Sequence, residues 1–270
     1  MTRSDRMTVG ILGVGRLAEF LVAGLCRNED GPQILLSHRN AARAGRLAEA
    51  YGLTIAGDNG ELVAASDLVL LATRPDQAEA AVAGLPWRSD RLLVSLCAGV
   101  PLAALAPHCR AATLARAMPI SAAMIGESPT CLYPDLAPAR ALFSRLGPVI
   151  ALPDEAAFET ASVLGAYYGW VHALIGTVAD WTTAAGVDAA TARDLTAHLT
   201  RAAADMVRHQ PDLTFAEIIA ELATPGGITA LGLGILGDRA ALEAWQAACE
   251  AVLARFRAGA EGGSDHERPV

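Results

Sequence analysis

The chain of 270 residues is 53% hydrophobic, enough to fill the core of one large or two ordinary domains, which excludes a disordered or fibrous protein. Its formal net charge is −8 and it has no basic run, so a nucleic-acid partner is not expected. All 21 basic residues are arginine. Because lysine is absent, mechanisms that need a lysine amine, such as a P-loop phosphate grip or a Schiff base, are excluded.

The cysteines and histidines give no sign of a metal site. The five cysteines are widely spaced without a C-x-x-C pair, and the six histidines lack H-x-x-x-H spacing. We therefore expect reduced, mostly buried thiols and no bound metal. No basic segment followed by a long apolar one lies near the start, and no apolar run reaches the roughly 18 residues of a membrane span. A cytosolic protein without a membrane partner is expected.

The first half of the chain alternates short apolar runs with helical patterns. The first run, residues 8–12, ends in a glycine-rich turn and is followed by a helical pattern over residues 17–25. The later apolar runs are residues 33–37, 67–73, 91–96, 112–115 and 149–152, and the clearest further helix is residues 41–51. Repeated strand–helix units predict an α/β domain with a doubly wound parallel sheet of the Rossmann type.

The pattern changes near Pro153. From residue 155 to about residue 257 only alanine- and leucine-rich helical stretches occur, broken at Gly186, at residues 210–211 and at residues 225–227. The last residues are glycine-rich and charged, which is typical of a disordered tail. The predicted organisation is a Rossmann domain over residues 1–153, an all-helical domain over residues 154–258 and a disordered tail over residues 259–270.

A glycine-rich turn joins the first strand to the first helix. It reads G-x-G-x-x-A, with Gly13, Gly15 and Ala18 at the fixed positions and Arg16 and Leu17 between them. The first glycine permits a tight turn, the second lets backbone amides approach a pyrophosphate, and the alanine lets the helix pack closely on the sheet. Inside a strand–turn–helix unit, this turn predicts a dinucleotide site.

The end of the second strand indicates which dinucleotide binds. An NAD site has a carboxylate there that accepts from the ribose hydroxyls, but this chain has Ser37, His38, Arg39 and Asn40. A guanidinium with neighbouring hydroxyl and amide groups suits a 2′-phosphate, because it can pair with two phosphate oxygens at once. NADPH is therefore predicted. The alternative is that Arg39 is an ordinary exposed residue at the start of a helix.

Four segments carry a family resemblance. Residues 67–75 form an apolar strand that ends in Arg74 and proline, and residues 94–100 read V-S-L-C-A-G-V. Residues 116–119 read R-A-M-P, and residues 224–229 read T-P-G-G-I-T. In order and spacing these segments resemble those of the pyrroline-5-carboxylate reductases, which have a lysine in place of Arg74. The resemblance extends through both predicted domains and nearly the whole chain.

The resemblance implies an NADPH-dependent reductase of a C=N bond, in which hydride adds to the imine carbon and a proton is present on the nitrogen. It also implies an interleaved homodimer built by the helical domain, with assembly into larger rings left open. Besides the glycine turn, the residues implied for the coenzyme are Asn59, Ala72, Thr73, Arg74, Pro75 and Ala98. Those implied for the substrate are Thr224, Gly226, Gly227 and Thr229. Amides of such a turn can bind a carboxylate and a threonine can relay a proton; the alternative is a simple helix break.

The chain departs from the family pattern at two places. Where the family has M-P-N, Ile120 and Ser121 follow Met-Pro, so an amide near the coenzyme is lost or moved. The family's G-S-G-P-A-Y segment aligns with residues 165–170, where the serine is lost and Tyr167 and Tyr168 appear. If the two phenol rings line the pocket, they narrow it and offer hydroxyl donors, which predicts an altered substrate. In the alternative, both rings pack in a core or an interface.

The leading interpretation is NADPH-dependent reduction of a small cyclic imine, by default 1-pyrroline-5-carboxylate to proline, or of a related imine. Thr229 and Tyr168 are the candidate catalytic residues, and Tyr167, Tyr168, Thr229 and solvent all remain open as proton donors. The alternative is a coenzyme-binding sensor or scaffold that has lost catalysis. The β-hydroxyacid dehydrogenases share the two-domain layout, but they depend on a lysine that this chain lacks.

Overall fold

The computed structural model describes residues 6–261 of the chain. These residues divide into two compact units. The first comprises residues 6–165 and 253–261, and the second comprises residues 166–252. The first unit contains the sheet, and the second is built from helices. Within residues 6–261, no helix is both long and apolar enough to cross a membrane.

The first unit is built on an eight-stranded sheet in the order β3-β2-β1-β4-β5-β6-β7-β8. The strands are β1 (Thr8–Leu12), β2 (Gln33–Leu36), β3 (Thr54–Ile55), β4 (Leu68–Leu71), β5 (Leu92–Ser95), β6 (Thr113–Met118), β7 (Thr130–Tyr133) and β8 (Val149–Ala151). Strands β1 to β6 are parallel, and the strand order reverses at the β1–β4 pair. The predicted Rossmann-type sheet is confirmed, with its switch point beside the glycine turn.

The last two strands differ from the predicted parallel arrangement. β7 runs antiparallel to β6, with Cys131 opposite Met118, and β8 follows β7 in parallel. An antiparallel neighbour needs no crossover helix, and the connection from β6 to β7 contains a 3-10 helix, Ser121–Ile125. Neither β7 nor the two-residue β3 gives an apolar run in the sequence, so both were outside the prediction.

Helices cover both faces of the sheet in the first unit. They are α1 (Arg16–Leu25), α2 (Ala41–Tyr51), α3 (Asn59–Ala65), a 3-10 helix (Pro75–Gln77), α4 (Ala78–Val82), α5 (Leu102–Leu105), α6 (Ala137–Ser144) and α7 (Glu155–Ser162). Strand β4 shows why two layers are needed. Leu68 and Leu70 belong to one apolar cluster, whereas Val69 and Leu71 belong to the other. A strand buried on both faces in this way is typical of a parallel sheet.

A buried arginine ties α7 to the sheet. The side chain of Arg116, in β6, is 1% exposed. Its Nη1 lies 3.0 Å from Oε1 of Glu155 and 3.0 Å from Oε2 of Glu159. Its guanidinium carbon lies 4.7 Å from the ring centre of Phe158. Glu155 also accepts a hydrogen bond from the backbone N–H of Leu102 at 2.7 Å. The buried cation is thus paired with two carboxylates of one helix.

The first compact unit extends further along the chain than the predicted Rossmann domain, and the predicted domain bounds stay a prediction. The first unit includes residues up to Gly165, whereas the sequence placed the boundary after Pro153. The composition does change at Pro153, where the strands end, but α7 is held to the sheet by Arg116. At the other end, α12 (Ala241–Glu261) runs past residue 259, where the tail was predicted to begin. The rest of that tail lies outside the described residues.

The second unit is made by the helices that follow α7. Between residues 164 and 240 they are α8 (Leu164–Ala184), α9 (Ala189–His209), α10 (Phe215–Leu222) and α11 (Ile228–Asp238). Breaks occur at the predicted Gly186 and Gly226, with φ of +109° and +76°, and at an unpredicted Ala240, with φ of +52°. Helix α10 opens with a capping box between Thr214 and Glu217. The hydrogen bond from the Thr214 N–H lowers the pKa of the Glu217 carboxyl.

Replacing Arg116 by alanine should strongly destabilise the first unit, because two partly buried carboxylates would lose their cation. We expect a loss of about 3 kcal/mol or more in the free energy of unfolding, measured by urea denaturation. Arg88→Ala is the matched control, since it removes an ion pair to Asp90 whose side chains are 60% and 52% exposed. Its effect should be small. Equal losses in the two variants would contradict the role of Arg116.

Candidate functional site

A cleft of about 650 Å³ opens at the carboxyl ends of β1, β2 and β4. All of its lining residues belong to the first unit. They are Leu12, Gly13, Val14, Gly15, Arg16, Leu17, Ser37, Arg39, Asn40, Arg43, Asn59, Ala72, Thr73, Arg74, Gln77 and Ala81. A crevice at the switch point of a doubly wound sheet is the usual position of a nucleotide site in this architecture.

The glycine turn forms the floor of the cleft. Gly13 has φ of +102°, and a Cβ there would lie 2.8 Å from the carbonyl carbon of Ala72. Its N–H donates to the hydroxyl oxygen of Ser37 at 2.9 Å, which joins the turn to the end of β2. Gly15 precedes α1 in an extended conformation, and no side chain caps this helix. The first amides of α1 are therefore available to a bound anion.

The polar groups of the cleft fit a phosphorylated dinucleotide. Four of the lining residues are arginines, at positions 16, 39, 43 and 74, and none of the described residues that line the cleft is acidic. The side-chain oxygen of Asn59 is buried and has no hydrogen-bond partner within residues 6–261. A buried acceptor without a donor is costly. A ligand with a free N–H or O–H at this point would satisfy Asn59, as an adenosine group can.

Most of the predicted coenzyme residues lie together in this cleft. Ten of the thirteen line it, whereas His38, Pro75 and Ala98 do not. Sequence reasoning did not assign Arg43 to the coenzyme, although it also lines the cleft. Asn40 has a local role as well, because its Nδ2 donates to the carbonyl oxygen of Val14 at 3.1 Å. Direct contact of any of these residues with a coenzyme stays a prediction.

A cysteine lies next to the cleft without joining its chemistry. Cys97 is buried after β5, with its Sγ 3.7 Å from the hydroxyl oxygen of Thr73 and 3.5 Å from the Thr73 carbonyl oxygen. Burial raises the pKa of the Cys97 thiol. The group is therefore a neutral donor at neutral pH and not a thiolate nucleophile. Within residues 6–261, no cluster of three or more metal-ligating side chains is found.

The turn predicted to face the substrate lies in the second unit, between α10 and α11. Gly226 has φ of +76°, and the N–H of Gly227 donates to the carbonyl oxygen of Thr224 at 2.9 Å. Gly227 precedes α11 with no side-chain cap, and Thr229 is exposed in the first turn of the helix. The first N–H groups of α11 are therefore uncapped beside the Thr229 hydroxyl, and their contact with a substrate stays a prediction.

The two tyrosines predicted for the substrate belong to an aromatic group in the second unit. The ring of Tyr167 is packed edge-on against Trp245, with the ring centres 5.8 Å apart. The rings of Tyr168 and His172 are 4.5 Å apart. Nδ1 of His172 lies 2.8 Å from the carbonyl oxygen of Tyr168, within hydrogen-bond distance. Tyr167 is 44% exposed, so its packing on Trp245 leaves part of the ring uncovered.

Comparison with known proteins gives matches for both parts of the chain. Residues 8–99 match the family described as "NADP oxidoreductase coenzyme F420-dependent", and residues 155–258 match "Pyrroline-5-carboxylate reductase dimerisation". A pyrroline-5-carboxylate reductase of Synechocystis is 29% identical over 268 residues, covering 94% of this chain and 98% of the relative.

Two solved structures share the fold over nearly their full length. A 1-pyrroline-5-carboxylate reductase of Streptococcus pyogenes has a TM-score of 0.82 at 23% identity, covering 93% of this chain and 98% of its own. A pyrroline carboxylate reductase of Plasmodium falciparum, with NADP bound, has a TM-score of 0.82 at 19% identity, covering 95% and 98%.

These matches and the geometry of the cleft agree on one class of protein, the NAD(P)-dependent oxidoreductases. Within that class, the chain is similar to the pyrroline-5-carboxylate reductases over nearly its whole length, and residues 155–258 match the dimerisation domain of that family. The predicted fold class, enzyme class and family resemblance are confirmed. The sensor alternative is not favoured, since the relative from Synechocystis is a named reductase that this chain matches almost from end to end.

The two glycines of the turn should respond differently to alanine. Gly13→Ala places a Cβ against the backbone of Ala72 at positive φ, so we expect a destabilisation of about 1–3 kcal/mol. In Gly15→Ala the new Cβ lies 4.0 Å from its nearest neighbour, the Ala72 oxygen, so the fold should be kept. Its methyl group would nevertheless obstruct a pyrophosphate, and the affinity for NADPH should fall. Thermal unfolding and NADPH fluorescence titration separate the two effects; unchanged affinity in Gly15→Ala would contradict the site.

Proposed function

We propose that the protein is an NADPH-dependent reductase of a small cyclic imine, with 1-pyrroline-5-carboxylate, reduced to proline, as the default substrate. The observation that carries the proposal is a glycine-floored cleft with four arginines and no acidic side chain among the described residues that line it. It occurs in a chain that is similar to the pyrroline-5-carboxylate reductases over nearly its whole length. A cationic rim of this kind favours the coenzyme that carries an extra phosphate.

The chemistry divides between coenzyme and protein. When bound, NADPH supplies the hydride that adds to the imine carbon. The amides of the turn after α10 are proposed to hold the substrate carboxylate, and the hydroxyl groups of Thr229 and Tyr168 are proposed to donate to the imine nitrogen. The described residues of the cleft include no carboxylate to act as acid. Catalysis on this proposal rests mainly on positioning.

The aromatic residues of α8 bear on the substrate. Ala166, Tyr167 and Tyr168 stand where the family's S-G-P is aligned, so a serine hydroxyl is replaced by two phenol groups. The partly exposed ring of Tyr167 adds apolar surface. A related imine, larger or without the carboxylate, is therefore the second candidate. Comparing turnover of 1-pyrroline-5-carboxylate with that of cyclic imines without a carboxylate decides between them.

The same assay tests the enzymatic proposal as a whole. We expect NADPH absorbance to fall when a cyclic imine is added to the purified protein. Binding of NADPH without turnover of any imine in the panel would instead support a sensor. Absence of affinity for either reduced pyridine nucleotide would overturn the proposal completely. The expected cytosolic location stays a prediction.

We propose that the active form is a homodimer, with the second unit providing the contact. Large apolar side chains of this unit are exposed in the single chain, including Trp181 at 71%, Phe215 at 70% and Ile228 at 90%. Such faces mark interaction surfaces when they are contiguous. The match to the family's dimerisation domain covers residues 155–258. Light scattering would give the mass and would also reveal any larger ring of dimers.

Arg39 should contribute to coenzyme choice. Arg39→Ala should raise the KM for NADPH by about tenfold or more, because a charge-assisted pair with the 2′-phosphate is lost. The KM for NADH should change little, since NADH has no phosphate at that position. Steady-state kinetics with both coenzymes measures the ratio. Equal increases in the KM values for NADPH and NADH would contradict the assignment of Arg39 to the 2′-phosphate.

Removal of the proposed proton donors should lower the rate of the chemical step. Tyr168→Phe and Thr229→Val should each reduce kcat by about 100-fold, the typical contribution of a positioned acid. NADPH affinity should stay near that of the unmodified protein. Tyr167→Phe serves as the matched control, and its kcat should change much less. A kcat unchanged in both test variants would contradict both proposed donors and leave Tyr167 or solvent as the source of the proton.

A further inference from the structure

One carboxylate at the coenzyme cleft is surrounded by arginines. Glu19, in the first turn of α1, has Oε1 at 2.8 Å from Nε of Arg43 and at 3.6 Å from Nη2 of Arg46. Its Oε2 lies 3.1 Å from Nη1 of Arg16. The four groups carry three positive charges and one negative, a net charge of +2. Of the three arginines, Arg16 and Arg43 line the cleft and Arg46 does not.

The contact with Arg43 differs from the other two. The Arg43 side chain is 25% exposed, whereas those of Arg16 and Arg46 are 74% and 66% exposed. The contact joins Oε1 of Glu19 to the buried Nε of Arg43, an ion pair in which this Nε makes no hydrogen bond to a described residue. Because Arg43 also lines the coenzyme cleft, its guanidinium can contact a ligand there while Glu19 restrains it.

A carboxylate in this place needs an explanation. It stands at the amino end of α1, beside the turn where a pyrophosphate binds, and its charge repels an anion. Its side chain is only 20% exposed, so solvent screens it incompletely. The helix dipole stabilises an acid in this first turn, and the pairs with Arg43 and Arg46 join α1 to α2. Fixing a phosphate-binding arginine would in addition offset the repulsion, because a fixed guanidinium loses less entropy on binding.

We propose that Arg43 is a second ligand of the coenzyme's 2′-phosphate, beside Arg39, and that Glu19 is the positioning residue that holds it. The inference rests on the proposed NADPH dependence. Two guanidinium groups on one phosphate give more charge-assisted hydrogen bonds than one group can. Asn40 supports the arrangement, because its side chain accepts from the Arg43 backbone N–H at 3.4 Å and so caps the helix that carries Arg43.

Direct binding of coenzyme fragments tests Arg43. Calorimetric titration of the full chain would use adenosine 2′,5′-bisphosphate and, as the fragment without the 2′-phosphate, adenosine 5′-monophosphate. Arg43→Ala should weaken binding of the bisphosphate by about tenfold or more and leave the monophosphate nearly unchanged. Arg46→Ala is the matched control, since it removes another arginine of the same carboxylate, and it should change neither. Equal weakening in Arg43→Ala and Arg46→Ala would overturn the assignment.

The role of Glu19 is tested by whether Glu19→Ala strengthens or weakens binding of the bisphosphate. If it acted only through charge, Glu19→Ala would tighten binding of the bisphosphate. A positioning role predicts the reverse: weaker binding, with little further loss when Arg43→Ala is added. Melting temperatures of the variants identify any general loss of fold. Tighter binding in Glu19→Ala would overturn the positioning role.

The same titrations separate this inference from the proposed function. Selective loss of bisphosphate binding in the Arg43 variant, in a protein that reduces no imine, would support the inference while the proposed function fails. An NADPH-dependent imine reductase in which Arg43→Ala leaves bisphosphate binding unchanged would overturn the inference alone.

Discussion

The close approach of Gly13 to the backbone of Ala72 is the constraint on which the coenzyme cleft depends. It brings the turn after β1 against the segment after β4, and the hydrogen bond from Gly13 to Ser37 joins it to the end of β2. Three strand ends are thus held together mainly by backbone atoms. The shape of the cleft floor follows from the sheet, so the surrounding side chains act from fixed positions.

The fold could be predicted from the sequence where apolar runs and turn residues coincide. Strand β1 and helix α2 have the predicted limits, and the breaks at Gly186 and Gly226 lie where positive φ requires glycine. Strand β7 escaped prediction because a buried threonine begins it and no crossover helix precedes it. The sequence could not show that α7 is held to the sheet, because a tertiary ion pair, that of Arg116 with α7, leaves no periodic signal.

The site was predictable to the extent that it follows from backbone motifs. The glycine turn and Arg39 stand at fixed offsets from strand ends, and both line the cleft. Arg43 was missed because its side chain reaches the cleft from within a helix, where sequence alone marks it as an ordinary surface residue. The chain has only guanidinium cations, and it uses them in opposite ways: Arg116 is enclosed by carboxylates, whereas the arginines of the cleft remain partly open.

The uncovered apolar side chains of the helical unit affect what stability means for this protein. Trp181, Phe215 and Ile228 are exposed in the single chain, and in the proposed dimer they gain their burial only when two copies pair through these faces. Folding and association then become one equilibrium, because part of the hydrophobic free energy is released only on pairing. The melting temperature would rise with protein concentration. A single value would describe one dilution of the sample and not the molecule itself.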